Sequence, residues 1–132
     1  MDPSRADPIA LAETRLRWLD RRQQVLSRNI ANANTPGFTP SDVTPFAEHL
    51  ARAGAGGGIG LATTSVRHIR SDPSVVGART DRRTAEATPN GNAVSLEQQA
   101  MRVAETDTAH SLATALRRRF LDMYRTALGR PV

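Results

Sequence analysis

The chain contains no cysteine and no lysine, and only 4% of its residues are aromatic. Without cysteine there can be neither disulfides nor thiolate metal sites, and thiols give no information about redox compartment. Without lysine all 18 basic residues are arginine, and the formal charge is +5. Lysine-free usage reads as a coding bias rather than a selected arginine surface. With 39% hydrophobic residues in 132 positions, the material for a self-sufficient core is thin, and an isolated monomer is expected to be marginal. No run of apolar residues reaches the length of a membrane span. The first residues show no basic segment followed by an apolar one, so no removable secretory signal is expected.

What is present lies mostly at the two ends. Asp7-Pro8 reads as an N-cap followed by proline at the first helical position. From there apolar residues recur in three- and four-residue steps through Ile9, Ala12, Leu16, Leu19, Leu26, Ile30 and Ala33, with Gln23 the polar intruder. That is the seam of a coiled coil. Leu11, Trp18, Val25 and Asn32 make a second row beside it, so the helix is expected to meet more than one neighbour. At the far end Ser95 and Gln98 have the spacing of a capping box. A second stripe then runs Leu96, Ala100, Val103, Asp107, His110, Ala113, Leu116, Phe120, Met123 and Ala127. Asp107 and His110 are expected to pair within it. Gly129 and Pro131 stop the pattern.

The fold class is therefore mainly α: long N- and C-terminal helices paired as an antiparallel coiled coil, with little β structure between them. The expected divisions are a mobile N-terminus over 1–7, a helix over 8–35, an irregular region over 36–94 with a glycine-rich linker near 54–60, and a helix over 95–129. Within the middle, Thr44-Pro45 starts a short helix through Phe46 and Leu50, Leu61 to Ile69 has strand-like content, and residues 70–89 read as a solvated or disordered segment.

The first helix runs into Asn29-Ile30-Ala31-Asn32-Ala33-Asn34-Thr35-Pro36-Gly37-Phe38. Pro36 lacks an N–H and disfavours helix at Thr35, while Gly37 can turn with positive φ. Helix capping explains one of the asparagines. The others leave side-chain amides for further bonds.

Chemistry finds little support. His49, His68 and His110 stand in three separate segments with no metal-ligand spacing, no nucleophile elbow occurs, and the glycine run lacks the ending of a phosphate loop. No enzyme activity, cofactor, metal or small-molecule substrate is expected. Arg21-Arg22, Arg82-Arg83 and Arg117-Arg118-Arg119 could attract phosphate, yet stacking aromatics are scarce and a nucleic-acid partner is not expected. A helical adaptor or an arginine-rich nucleic-acid-binding module remains the alternative to an assembly subunit.

Ser27 to Phe38 closely resembles the N-terminal motif of the bacterial flagellar axial proteins, and the chain is similar to the basal-body rod family within that class. Asn90-Gly91-Asn92-Ala93-Val94-Ser95-Leu96-Glu97 resembles the entry into the family's C-terminal helix, and Leu61 to Ile69 a short segment between the helices. The resemblance implies a structural subunit of the proximal rod. It would be exported without a cleavable signal by the flagellar type III apparatus and would polymerise in the periplasm with copies of itself and other rod proteins. It would also contact a basal-body adaptor and the inner-membrane ring. Under that resemblance Leu16, Leu19, Leu26, Ile30, Val103, Leu116, Phe120 and Met123 make the assembly seam. Asn29, Asn32, Asn34, Thr35, Pro36, Gly37 and Phe38 form the subunit-contact motif.

Overall fold

A computed structural model describes residues 7–54, 76–81 and 88–129. Two long helices dominate: α1 (Pro8–Ala31) and α3 (Leu96–Ala127). Between them lie β1 (Ser41–Val43), α2 (Phe46–Gly54) and β2 (Ala78–Thr80). Asp7 caps α1 by accepting from the Ile9 N–H at 2.9 Å, and the Ser95 hydroxyl accepts from the Gln98 N–H at the head of α3. The expected mainly helical fold is what forms.

Three cross-helix bonds fix the direction of the pair. Glu13 meets Arg117 at 3.0 Å, Asp20 meets His110 at 3.4 Å, and the Asn29 amide donates to Gln99 Oε1 at 3.0 Å. The partner on α3 moves backward as α1 advances, so the helices are antiparallel. The anticipated pairing of His110 with Asp107 is replaced by this contact to Asp20, because His110 reaches across to α1 while Asp107 is exposed.

The second row of α1 also finds a neighbour. Trp18 and Val25 are buried with Leu19, Val43, Val76 and Ala113, and Leu16, Phe46 and Ala109 pack against them. Trp18 stands edge-on to Phe46 with ring centroids 5.9 Å apart, and its Nε1 donates to the buried Thr44 carbonyl at 2.8 Å. The Arg15 guanidinium lies 4.6 Å from both ring centroids, a cation–π contact. Burial first, and the nearby Arg22 second, lower the Arg15 pKa from the usual arginine value.

One expectation about the middle needs correction. Residues 70–89 are not simply solvated where the structure describes them: Val76 is buried and residues 78–80 form β2. The strand pairs antiparallel with β1 in the register Ser41–Thr80, Asp42–Arg79 and Val43–Ala78. A flanking ion-pair group holds this hairpin to both helices: Arg22 to Asp42 at 3.3 Å, and Arg102 to Asp81. Apolar content is a poor guide to such a segment because charges anchor it. The expected strand over Leu61 to Ile69, most of the glycine-rich linker and residues 1–6 lie outside the described residues.

Candidate assembly interface

The end of α1 is tied together by asparagines. The helix gives way at Ala31 rather than near Thr35, and the chain tightens into three-residue turns, with Ala33 N–H bonding Ile30 O and Thr35 N–H bonding Asn32 O. Asn32 Nδ2 reaches back to the Arg28 carbonyl at 2.8 Å, a true cap. Gly37 then turns with φ of 69°.

Asn29 has a different role from the one expected. It is 1% exposed, and its side chain closes a ring of bonds inside the subunit. Oδ1 accepts from the Ser41 N–H at 3.0 Å, while Nδ2 donates to the Ser41 carbonyl at 2.7 Å and to Gln99 Oε1 at 3.0 Å. One amide thus imitates a strand partner for β1 and ties α1 to α3. It has no capacity left for a neighbouring subunit.

Asn92 is its counterpart, and the sequence suggested no more than a turn there. Its Nδ2 donates to the carbonyls of Asn32 and Thr35, which satisfies the frayed end of α1 from sixty residues away. Its Oδ1 accepts from the Val94 N–H, setting the chain on course into α3. Backbone bonds from Gly37 N–H to Asn90 O and from Ala93 N–H to Phe38 O complete the junction. Gly91, at φ of 78°, comes so close that a Cβ on it would stand 3.4 Å from Gly37 Cα. Positive φ occurs at Gly91 alone, not at both central residues of the turn as Asn-Gly suggests; Asn90 instead uses its Oδ1 to accept from the Asn92 N–H.

Four asparagines and two glycines therefore make a rigid knot. What it presents outward is the remainder of the motif: Asn34, Thr35, Pro36 and Gly37 are exposed, and Phe38 is half-buried. Asn32 is half-buried too.

The expected seam divides in the same way. Leu19 and Leu26 are fully buried, and Leu16, Val103 and Phe120 are partly so. Ile30, Leu116 and Met123 are exposed. The buried line of α3 instead runs Gln99, Thr106 and Ala113, with Arg102, Ala109 and Arg117 half-buried beside it. Small residues let the helices approach, and the polar ones are bonded within the subunit except at Gln99 Nε2, which is buried without a partner. Gln99 Oε1 takes the Asn29 bond, the Thr106 hydroxyl donates to the Arg102 carbonyl, and Arg102 and Arg117 reach acids. Several large apolar residues of α3 are left exposed: Leu96, Met101, Leu112, Leu116 and Met123. Such a face on a water-soluble helix signals an interaction surface.

Among the described residues there is no group of three or more metal-binding side chains, and no helix is long and apolar enough to cross a membrane.

Comparison with known proteins agrees with this arrangement of a terminal helix pair and an exposed motif. Residues 9–39 match the family of flagella basal body rod proteins. A relative in Cereibacter sphaeroides (strain ATCC 17029 / ATH 2.4.9) is 32% identical over 124 residues, covering 93% of this chain and 89% of that protein. The chain belongs to the flagellar basal body rod protein family. That relative is the flagellar basal body rod protein FlgB, as are a protein of Aeromonas hydrophila, 40% identical over 80 residues, and one of Agrobacterium fabrum, 44% identical over 59 residues. The last two matches span 60% and 45% of this chain, and 60% and 42% of the relatives' own lengths. The resemblance read from residues 27–38 is borne out, and the adaptor and nucleic-acid alternatives receive no support.

Proposed function

We propose that this chain is a structural subunit of the proximal rod of the flagellar basal body. It assembles with copies of itself and other rod proteins into a helical shaft that transmits torque and encloses part of the export channel. The exposed apolar face of α3, in a chain of the rod family, is the observation that carries this reading most directly. A helix pair that buried its largest apolar residues internally would have no use for a lattice. Here Leu112, Leu116 and Met123 stay outside, where further subunits can cover them.

The role is non-enzymatic, and the place is the periplasmic rod, reached through the flagellar export apparatus. An adaptor protein and the inner-membrane ring are the expected neighbours on one side, other rod proteins on the other. Asn34 to Phe38 form the loop offered to a neighbour, and Asn29 holds that loop in place from within.

Mass analysis of purified hook–basal bodies tests this reading. The chain is expected to remain with the rod after washing at high salt. Its absence from basal bodies of a motile strain would remove the proposal.

A further inference from the structure

Charge pairing inside the subunit is extensive, yet several charged residues are left out of it, two pairs of which bracket apolar centres. Among the described residues Arg21 and Arg28 on α1, and Glu97 and Glu105 on α3, take part in no ion pair. Both acids are exposed and flank Met101, which is 59% exposed. Both arginines border a recess of about 190 Å³, floored by Val25 and Asn29 and walled by Phe38, Ser41 and Ala78. Among the described residues, none of α3 and no acid lines this recess. It is smaller than the roughly 300–1,000 Å³ of small-molecule pockets, and it suits a single flexible side chain.

The spacings match. Arg21 and Arg28 are separated by about 10 Å along α1, and Glu97 and Glu105 by about 12 Å along α3. In each case the pair brackets an apolar centre: the Val25 and Phe38 recess on one side, the Met101 side chain on the other. The two surfaces lie on the outer sides of opposite helices, so one molecule cannot join its own.

We propose that the α1 recess of one copy receives the Glu97–Met101–Glu105 face of α3 from a second copy. The inference rests on the assembly role proposed above and specifies its contact. Because the two surfaces differ, the contact is head-to-tail and repeats without closing, as a helical filament requires. Two α3 faces meeting in parallel would set Glu97 and Glu105 against like charges, which is unfavourable at an interface.

The absence of cysteine makes the test clean. Gln24→Cys sits between the two arginines and Ala104→Cys beside Met101, both at exposed positions. The full-length chain carrying both substitutions is expected to give a ladder of disulfide-linked multimers on oxidation. A mixture of the two single variants gives a dimer. Each single variant alone gives at least about tenfold less product. Adding Arg21→Glu with Arg28→Glu lowers the yield by about tenfold, and adding Glu97→Arg with Glu105→Arg to that same chain restores it. Circular dichroism on every variant separates loss of contact from loss of folding.

Equal cross-linking by a single variant overturns the proposal, because a face would then meet its own copy. So does failure of the restoring swap in a chain of unchanged helicity. Cross-linking in isolated basal bodies separates this contact from the rod assignment. If the chain is present there but the double-cysteine variant yields no ladder, the proposed contact fails while the rod role stands. If the chain is absent there, the rod role itself fails.

Discussion

Leu26→Asp is expected to unfold the helix pair and abolish motility. Leu26 is 0% exposed, between Asn29 and the Trp18–Val25 flank on the face of α1 that meets α3. Truncating such a leucine to alanine costs about 2–5 kcal/mol, and a carboxylate adds the penalty of burying an unpaired charge. Domains of this kind have about 5–15 kcal/mol in reserve, and this core is small. Urea unfolding followed by circular dichroism should show loss of the cooperative transition. Leu116→Asp provides the contrast, since Leu116 is 44% exposed. That variant should keep its helicity while losing motility. A Leu26→Asp chain that melts like the parent would show that the helix pair is not held as described.

Asn29→Asp is the second large effect, and it is the subtler one. The change keeps the acceptor for the Ser41 N–H but turns the donor into an oxygen facing the Ser41 carbonyl and Gln99 Oε1. Two buried acceptors lose their hydrogen, at about 1–3 kcal/mol each. The introduced carboxyl is buried among acceptors, so its pKa in the folded chain is raised above the unfolded value near 4. A raised folded pKa means that the folded state holds the proton more tightly. The loss of stability is therefore small below the unfolded pKa and grows as pH rises through the folded one. Urea titrations at a series of pH values should show the variant approaching the parent in acid and falling behind at neutrality. Amide exchange at Ser41 should accelerate in step. A variant with parental stability at neutral pH would contradict the role given to Asn29.

Much of the scaffold is visible in the residues themselves. Asp7-Pro8 and Ser95 mark helix starts through their own chemistry, so local rules suffice there, whereas α1 ends at Ala31, short of the Pro36-Gly37 stop. The motif from Ser27 to Phe38 points to the family, and Leu19 and Leu26 of the α1 stripe are buried. The buried face of α3 was not legible. A search for apolar residues at helical spacing selects Leu116 and Met123, yet the side turned to α1 carries Gln99, Thr106 and Ala113. Periodicity finds the most hydrophobic face and cannot tell whether that face meets the same chain or another one. When a subunit is built for a lattice, the two answers differ.

The asparagines failed for a related reason. From the sequence alone, surplus amides looked available to neighbours, because Gln99 and Ser41 are distant in the chain and nothing local shows that they converge on Asn29. Asn92 was read as a turn residue, and its bonds to the carbonyls of Asn32 and Thr35 depend on the same convergence. The β2 strand was missed because its anchors are Asp81, Arg102 and Asp42, whose charges look solvated until the chain brings them together.

Electron microscopy of basal bodies from a strain lacking this gene tests the central claim most directly. Basal bodies without a rod, cut off above the inner-membrane ring and restored by the parental gene, are the expected result. Complete rods in the deletion strain would contradict the assignment of this chain as a rod subunit.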